Sequence, residues 1–429
     1  MGEHLTVPAQ ARLDPVPALV RWAFYLFLFS LPFEYPGRSI PIETTTLTGA
    51  LFVGIAALWP GRCFRLPPAA LWLFLGYLYV YWVAIAMGGG FFAADALKSS
   101  LTMLLMILVI WAASGILQDQ RVAERGLLVF GSACALLAAM TLLGVLTKAG
   151  LDPDTDTIRV TVLGQNPNRA ARILMGGALV LLGLAYGRAR AWIRPPLIVW
   201  PFIGAIAIAM IQGGSRGGLL ALAIGLIMFV LAGTSLRTTI RNAAVAVLAV
   251  GVVAAFAARS PLIQRRFAMA GEGNFAKREQ IFPSAFGMFL DRPLIGWGAE
   301  NEYELARRLP QRYRTSRDTH NLVLHVLTTT GLVGALPFFA GLLFAVRAAW
   351  LGRRGPLGAL PLALLIALLA GNLSGNYIAL KVQWVAIALA FASYALARAA
   401  APAGVTLPAR MTRHRVPAIR SRGTVGRPA

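Results

Sequence analysis

Three observations predict an all-α polytopic membrane protein of about 12 transmembrane helices, with a long outer loop containing amphipathic helices between spans nine and ten. First, 58% of the 429 residues are hydrophobic and only 13% are charged, about half the charge that a soluble surface of this size needs. Second, apolar runs of roughly 18 or more residues recur from end to end, each long enough to cross about 30 Å of hydrocarbon. Third, the connections between those runs alternate in charge, as loops on opposite sides of a membrane do. Together they exclude a soluble domain. Residues 1–398 read as a single transmembrane domain, and 399–429 as a basic disordered tail rich in Pro, Gly and Arg.

The spans fall at approximately 17–34, 45–60, 68–88, 98–117, 125–147, 170–187, 195–213, 217–234, 240–258, 320–349, 357–377 and 380–397. The first follows a short polar leader and lacks a small-residue cleavage site, so it reads as an uncleaved span. One set of connections holds Arg62 and Arg65; Arg121 and Arg125; Arg188, Arg190 and Arg194; Arg237 and Arg241; Arg347, Arg353 and Arg354. All are short and basic, which places them, the Arg-rich tail and both termini in the cytoplasm. Much of the net charge of +23 (Lys+Arg 40, Asp+Glu 17) is therefore topological and gives no reason to expect nucleic acid. Cys63 lies in a short basic loop and Cys134 in an apolar run, and neither position suits a disulfide or a metal. No internal repeat appears, and the spans hold few ionisable groups away from their ends, which disfavours an ion-coupled transporter.

The opposite face carries two longer segments. The first, about 148–169, contains Asp152, Asp154, Asp156, Arg159, Asn166 and Arg169. The second, about 259–319, holds Arg265, Arg266, Lys277, Arg278, Arg292, Arg307, Arg308, Arg312, Arg314 and Arg317. An outer loop this basic suggests an anionic partner such as phosphate or pyrophosphate; a solvated loop neutralised by anionic lipid is the competing reading. Within it, Ile281, Phe282, Ala285, Phe286, Met288 and Phe289 recur at helical spacing, as in an amphipathic interfacial helix.

Four features on that face are candidates for chemistry. His320, in Asp318-Thr319-His320-Asn321, opens the tenth span. Asp318 or Thr319 is positioned to cap it, and the positive helix end would keep the imidazole neutral and fit to act as a base. His325 is apolar-flanked and reads as packed or hydrogen-bonded. Gly213-Gly214-Ser215-Arg216-Gly217-Gly218 joins two apolar runs; its glycines allow close backbone approach, and its Arg has a planar fork suited to phosphate oxygens. A Gly-rich turn with a snorkelling Arg is the plainer reading. Lys277-Arg278-Glu279 puts cations at a helix start, a local conflict that a bound anion would resolve. The Asp152-Pro153-Asp154-Thr155-Asp156 run lacks the Gly and distant Glu of a calcium loop. With no paired His/Cys set and no nucleotide-binding glycine pattern, neither metal nor ATP is expected.

The Ser-Arg-Gly turn at Arg216, the helix led by Arg278 with Gly296-Trp297-Gly298 after it, and then His320-Asn321 at a span's start resemble the O-antigen ligase family. Its superfamily also holds O-antigen polymerases and pilin-type O-oligosaccharyltransferases. The resemblance covers nearly the whole chain in span number and loop placement, and is most specific from about Arg216 to Gly334. It implies a GT-C-like glycosyltransferase of the bacterial inner membrane with a periplasmic active site. Such an enzyme moves O-antigen glycan from undecaprenyl pyrophosphate to a sugar hydroxyl of lipid A-core, in lipopolysaccharide biosynthesis, without metal or other cofactor. The family's essential His matches His320, and its two essential arginines match Arg216 and Arg278. Ile281-Phe282 stand where relatives often carry Trp. The short tail favours the ligase over pilin-type transferases, which usually add an outer domain.

The expected partners are thus the lipid-linked glycan, lipid A-core and membrane lipids. Arg216 and Arg278 would grip the pyrophosphate, and His320 would act as general base in one inverting displacement. Arg265, Arg266, Arg159, Arg169, Lys277 and Asn321 would hold donor or acceptor, while Glu279 and Asp318 are rival bases. An O-antigen polymerase, or a flippase or transporter of the same lipid-linked glycan, stands as the alternative.

Overall fold

The structure, a computed structural model, describes residues 15–34, 43–65, 67–88, 94–152, 157–187, 195–272, 275, 278–310, 318–376 and 378–400. Helices α1 (Ala18–Ser30), α2 (Thr44–Ala57), the one-turn α3 (Pro60–Cys63), α4 (Ala69–Met87), α5 (Ala94–Ile116) and α6 (Gln120–Leu142) lead into a hairpin of β1 (Thr147–Asp152) and β2 (Thr157–Val162). Then come α7 (Pro167–Tyr186), α8 (Val199–Gln212), α9 (Arg216–Leu231) and α10 (Leu236–Ala257). Three further helices, α11 (Pro261–Gly271), α12 (Arg278–Asp291) and α13 (Asn301–Arg308), build the long connection to α14 (Leu322–Gly352), α15 (Leu360–Gly371) and α16 (Lys381–Ala399).

Seven of these (α4, α5, α6, α7, α10, α14 and α16) are long and apolar enough to cross a membrane, and α1, α2, α8, α9 and α15 are shorter apolar helices. They stand where the hydropathy pattern places spans. The innermost is α7, buried along nearly its whole length and packed against α6, α8, α9 and α15. In lipid the hydrophobic effect does not draw helices together, so close van der Waals packing has to. At Gly177 a Cβ would lie 2.3 Å from Cys134 Cβ, so glycine is what lets α7 and α6 approach. Both cysteines are free and buried.

The connections sort to two ends. At one, Gly187, Thr234, Thr238, Arg241, Arg353 and Gly358 surround a small basic cleft. At the other, the hairpin, the starts of α7 and α9, and parts of α11 and α12 converge with His320 and Ser374. This is the pairing that charge alternation anticipates.

The structure corrects the sequence reading in three places. The segment near 148–169 is a regular antiparallel hairpin, paired from Thr147↔Val162 to Asp152↔Thr157. The tenth span is broken: Gly331 takes φ 60° and ψ −163°, a region that L side chains rarely enter. Beyond the break, the Leu332 and Val333 amides bond to the carbonyls of Pro293 and Leu294 (2.8 and 3.1 Å), and the Trp297 amide takes the Thr328 carbonyl at 2.8 Å. The long connection is therefore stitched into the helix, and its chain satisfies backbone groups that the break exposes. Third, α14 is capped by Asn321, whose Oδ1 accepts from the Val323 and Leu324 amides, and not by Asp318 or Thr319. His320 precedes the helix instead of lying in its first turn.

The amphipathic pattern near residue 281 is α12, with Ile281, Ala285 and Met288 inward. With Leu305 and Leu309 they form a small separate core, edged by Phe282, Trp297 and Leu324. Each large side chain buried there contributes about 1.5–3 kcal/mol, enough to make the connection a folded platform. Lys277, Pro153 to Asp156, His4, His414 and the tail beyond 400 lie outside the described residues.

Candidate active site

At the end where the long connection sits, a cleft enclosing about 1000 Å³, counting its mouth, is lined by Arg159, Arg172, Arg216, Arg266, Arg278 and His320, with Ser215, Gly217, Asn168 and Ser374 among the groups between them. Five cations from five elements (β2, α7, α9, α11 and α12) meet here. Among the described lining residues there is no carboxylate. Two such charges about 6 Å apart repel by roughly 3 kcal/mol at an effective dielectric of about 20, so the protein must hold them by other means.

It does so with backbone and amide oxygens. Arg159, pointing inward from β2, donates to the Gly213 carbonyl at 2.7 Å and to Asn168 Oδ1 at 3.0 Å. Arg172, fully buried on α7, donates to the carbonyls of Asn168 (3.0 Å) and Gly371 (2.6 Å) and to Ser374 Oγ (3.0 Å). Arg266 donates to Thr157 Oγ1 at 3.2 Å, and its own carbonyl accepts from Arg216. Arg278 donates to the carbonyls of Ser374 (2.9 Å) and Phe275 (3.2 Å). Carbonyl dipoles orient a guanidinium without cancelling its charge. Arg216 also feels the positive charges of Arg266 and Arg278.

Arg216 is the first residue of α9. Ser215 caps that helix, its Oγ accepting from the Gly218 amide at 3.2 Å, so Arg216 sits at the positive helix end, itself a place for an anion. The flanking glycines have packing duties: a Cβ on Gly217 would lie 2.4 Å from Ser374 Oγ, and one on Gly218 2.8 Å from Ala171 Cβ.

His320 lines the cleft from the segment just before α14, at φ 49°. Such a conformation costs on the order of 1–3 kcal/mol in a non-glycine residue. Asp318 supports it: Oδ1 accepts the His320 amide at 3.1 Å, and Oδ2 lies 3.5 Å from His320 Nδ1. Asp318 thus stands as the partner of His320. His325, by contrast, lies near Asn301 Nδ2 at 3.5 Å and is not among the lining residues.

The structure brings together Arg159, Arg216, Arg266, Arg278 and His320, and leaves other expected residues out. Arg265 is exposed, a helical step of about 100° from buried Arg266. Glu279 is exposed and accepts from the Phe275 amide at 3.3 Å. Asn321 serves as the helix cap and donates to the Leu373 carbonyl at 3.2 Å. Arg169 pairs with Glu34 instead. Glu34, buried, also accepts from Lys381 Nζ at 3.0 Å and Thr45 Oγ1 at 2.6 Å, and Lys381 pairs with Glu43 as well. Burial alone would push the Glu43 carboxyl up, but Lys381, aided by the charges of Arg169 and Lys98, outweighs it and holds the carboxyl below its ordinary value.

Arg172 and Ser374 are cleft residues that the sequence reading passed over. A lone Arg early in an apolar run was the signal available for Arg172, since a buried cation in such a helix needs a functional or paired explanation. Ser374 carried none.

The comparisons with known proteins agree with this geometry. A family model described as O-antigen ligase matches residues 201–339, the stretch that contributes Ser215, Arg216, Gly217, Arg266, Arg278 and His320 to the cleft. The chain is also 28% identical over 264 residues to an O-antigen ligase of Pseudomonas aeruginosa. That alignment takes in 58% of this chain and spans 60% of the relative's length. With the multi-pass helical fold, these two matches make the chain similar to O-antigen ligases over the stretch that builds most of the cleft.

Proposed function

We propose that the chain is a glycosyltransferase that moves O-antigen glycan from undecaprenyl pyrophosphate to a sugar hydroxyl of lipid A-core, at the periplasmic face of the inner membrane. One observation carries this reading: a cleft with five arginines, one histidine and, among its described lining residues, no acid. A cleft so rich in guanidinium groups suits an anion, and guanidinium forks match phosphate oxygens. Arg216 and Arg278 hold the pyrophosphate and offset the charge that grows on it as the sugar–phosphate bond breaks. Arg159, Arg172 and Arg266 extend that field.

His320 takes the proton of the acceptor hydroxyl as it attacks the anomeric carbon, with Asp318 beside Nδ1 stabilising the imidazolium. The leaving group departs as undecaprenyl pyrophosphate, and a single displacement inverts the anomeric configuration. The residues that act are all the chain's own, so we expect no metal requirement.

Purified protein would be incubated with undecaprenyl-pyrophosphate glycan and rough lipopolysaccharide in EDTA without nucleotide, reading the mobility of the lipid A-core band. A shift that His320→Ala abolishes supports the ligase. Activity lost in chelator and restored by a divalent ion would overturn the metal-free mechanism. Longer glycans on the polyprenyl carrier, with lipid A-core untouched, would make the chain a polymerase; no change in either would bring forward a flippase.

A further inference from the structure

We propose that the turn Asn372–Ser374, which follows α15, is the positioning element of the cleft, a role that rests on the transferase reading above. Four elements meet on it. From α7, Arg172 Nη2 donates to the Gly371 carbonyl at 2.6 Å and to Ser374 Oγ at 3.0 Å. From α12, Arg278 Nη2 donates to the Ser374 carbonyl at 2.9 Å. From the start of α14, Asn321, the cap beside His320, donates to the Leu373 carbonyl at 3.2 Å. From α9, the bare Cα of Gly217, next to Arg216, lets the turn come close enough that a Cβ there would lie 2.4 Å from Ser374 Oγ. The turn is itself fixed from behind, where buried Asn372 bonds buried Gln383 of α16.

The chemistry of a helix end explains why a turn of this kind suits the task. The last carbonyls of a helix lack partners within it and carry the negative end of its dipole. Here the Gly371 and Ser374 carbonyls, dipoles and not full charges, orient two guanidinium groups. A carboxylate in the same place would orient them too, but would neutralise them. The turn lies outside residues 201–339, the stretch matched by the family model, so the cleft depends on a segment remote in sequence from its arginines and histidine.

The test uses a steric conflict and its relief in the full-length protein, with kcat measured per folded molecule alongside the melting temperature. Gly217→Ala drives a methyl into Ser374 Oγ and should lower kcat roughly 10- to 100-fold, as displacement of positioned groups by about 1 Å can. Ser374→Ala keeps the carbonyl that holds Arg278 and should cost less than about fivefold. The double variant removes the conflicting oxygen, leaving a Cβ contact at 3.5 Å. It should recover to within about threefold of Ser374→Ala, since the two changes are coupled and not additive.

Gly217→Ala near wild-type activity, or a double variant no better than Gly217→Ala, overturns the proposal. So does a rescue confined to melting temperature. Should Gly217→Ala fail to fold, Arg172→Lys replaces it: the charge stays but the bridge between Gly371 and Ser374 goes, and a loss of about tenfold is expected, with unchanged kcat as the contrary result. Should the wild type transfer no glycan, the transferase reading fails separately, and the turn is judged by binding of undecaprenyl pyrophosphate. The same order of affinities supports it, and equal affinities overturn it.

Discussion

Arg169 and Arg172 stand three residues apart on α7, about 60° apart around the helix, yet they belong to two unlike neighbourhoods. Arg169 joins a balanced cluster in which two cations, Arg169 and Lys381, meet two acids, Glu34 and Glu43. Arg172 joins one that is unbalanced among its described lining residues: five arginines share a cleft that no described acid lines, and Arg172 itself is oriented by the Gly371 carbonyl and Ser374 Oγ. A cation with an acid beside it has its charge answered within the fold, and its duty is to tie α1, α2, α7 and α16 together. A guanidinium oriented by a carbonyl dipole is held in place without a full opposing charge from that contact. Both neighbourhoods hold buried and half-buried cations, and the charges of the described groups around them are what differ.

The largest expected effect would break the unbalanced side of this comparison. Arg216→Ala, or Arg278→Ala, should lower glycan transfer by about 10²- to 10³-fold, the range found when one charge-stabilising donor is removed. Arg216→Lys should recover little, because a point charge cannot reproduce a bidentate fork. Kinetics in detergent with defined donor check this, and near-normal transfer by Arg216→Lys would argue against a pyrophosphate grip.

Next comes the balanced side. Lys381→Met removes a partner from buried Glu34 and should cost about 3–5 kcal/mol of stability, read as a lower melting temperature and less folded protein. Transfer per folded molecule should stay within about twofold of wild type, as for a residue remote from the chemistry. A fall in kcat without a fall in stability would move the cluster into the site.

A pH scan sharpens the same contrast by a smaller margin. Glu43 is held below its ordinary value, so its contribution is present above the ordinary carboxylate pKa of about 4.3. It is lost as pH falls further, through the depressed folded value. Melting temperature should therefore drop below about pH 4.3 in the wild type, and drop less steeply in Lys381→Met. Parallel curves would contradict the pairing. The smallest effect is expected at Arg265, exposed beside buried Arg266. Arg265→Ala should change donor affinity by less than about twofold, while Arg266→Ala weakens it at least about tenfold.

Much of the fold was legible because hydrophobic length and alternating loop charge are local quantities that a sequence displays directly. Arg216, Arg278 and His320 stood out as candidates because each lies at or beside an element's start on what the sequence reads as the outer face, and the structure brings all three to one cleft. What stayed hidden depends on distant partners. The break at Gly331 follows from Pro293 and Leu294 reaching its neighbours' amides, and a glycine in an apolar run does not announce that. Arg169 and Arg172 look alike until Glu34 and Ser374 are brought to them from far along the chain. The cap of α14 fell to Asn321 and not Asp318 because Asp318 is engaged with the His320 amide, a competition that spacing alone leaves undecided.

The measurement that goes furthest is the affinity of undecaprenyl pyrophosphate for wild type, Arg216→Ala, Arg278→Ala and Arg172→Ala, with Arg169→Ala as the folded control. If the unbalanced cleft is the pyrophosphate site, each cleft variant should bind at least about tenfold more weakly, while Arg169→Ala binds within about twofold of wild type once corrected for folded fraction. Equal loss at Arg169 and the cleft arginines, or no loss at any of them, would contradict the assignment of the site.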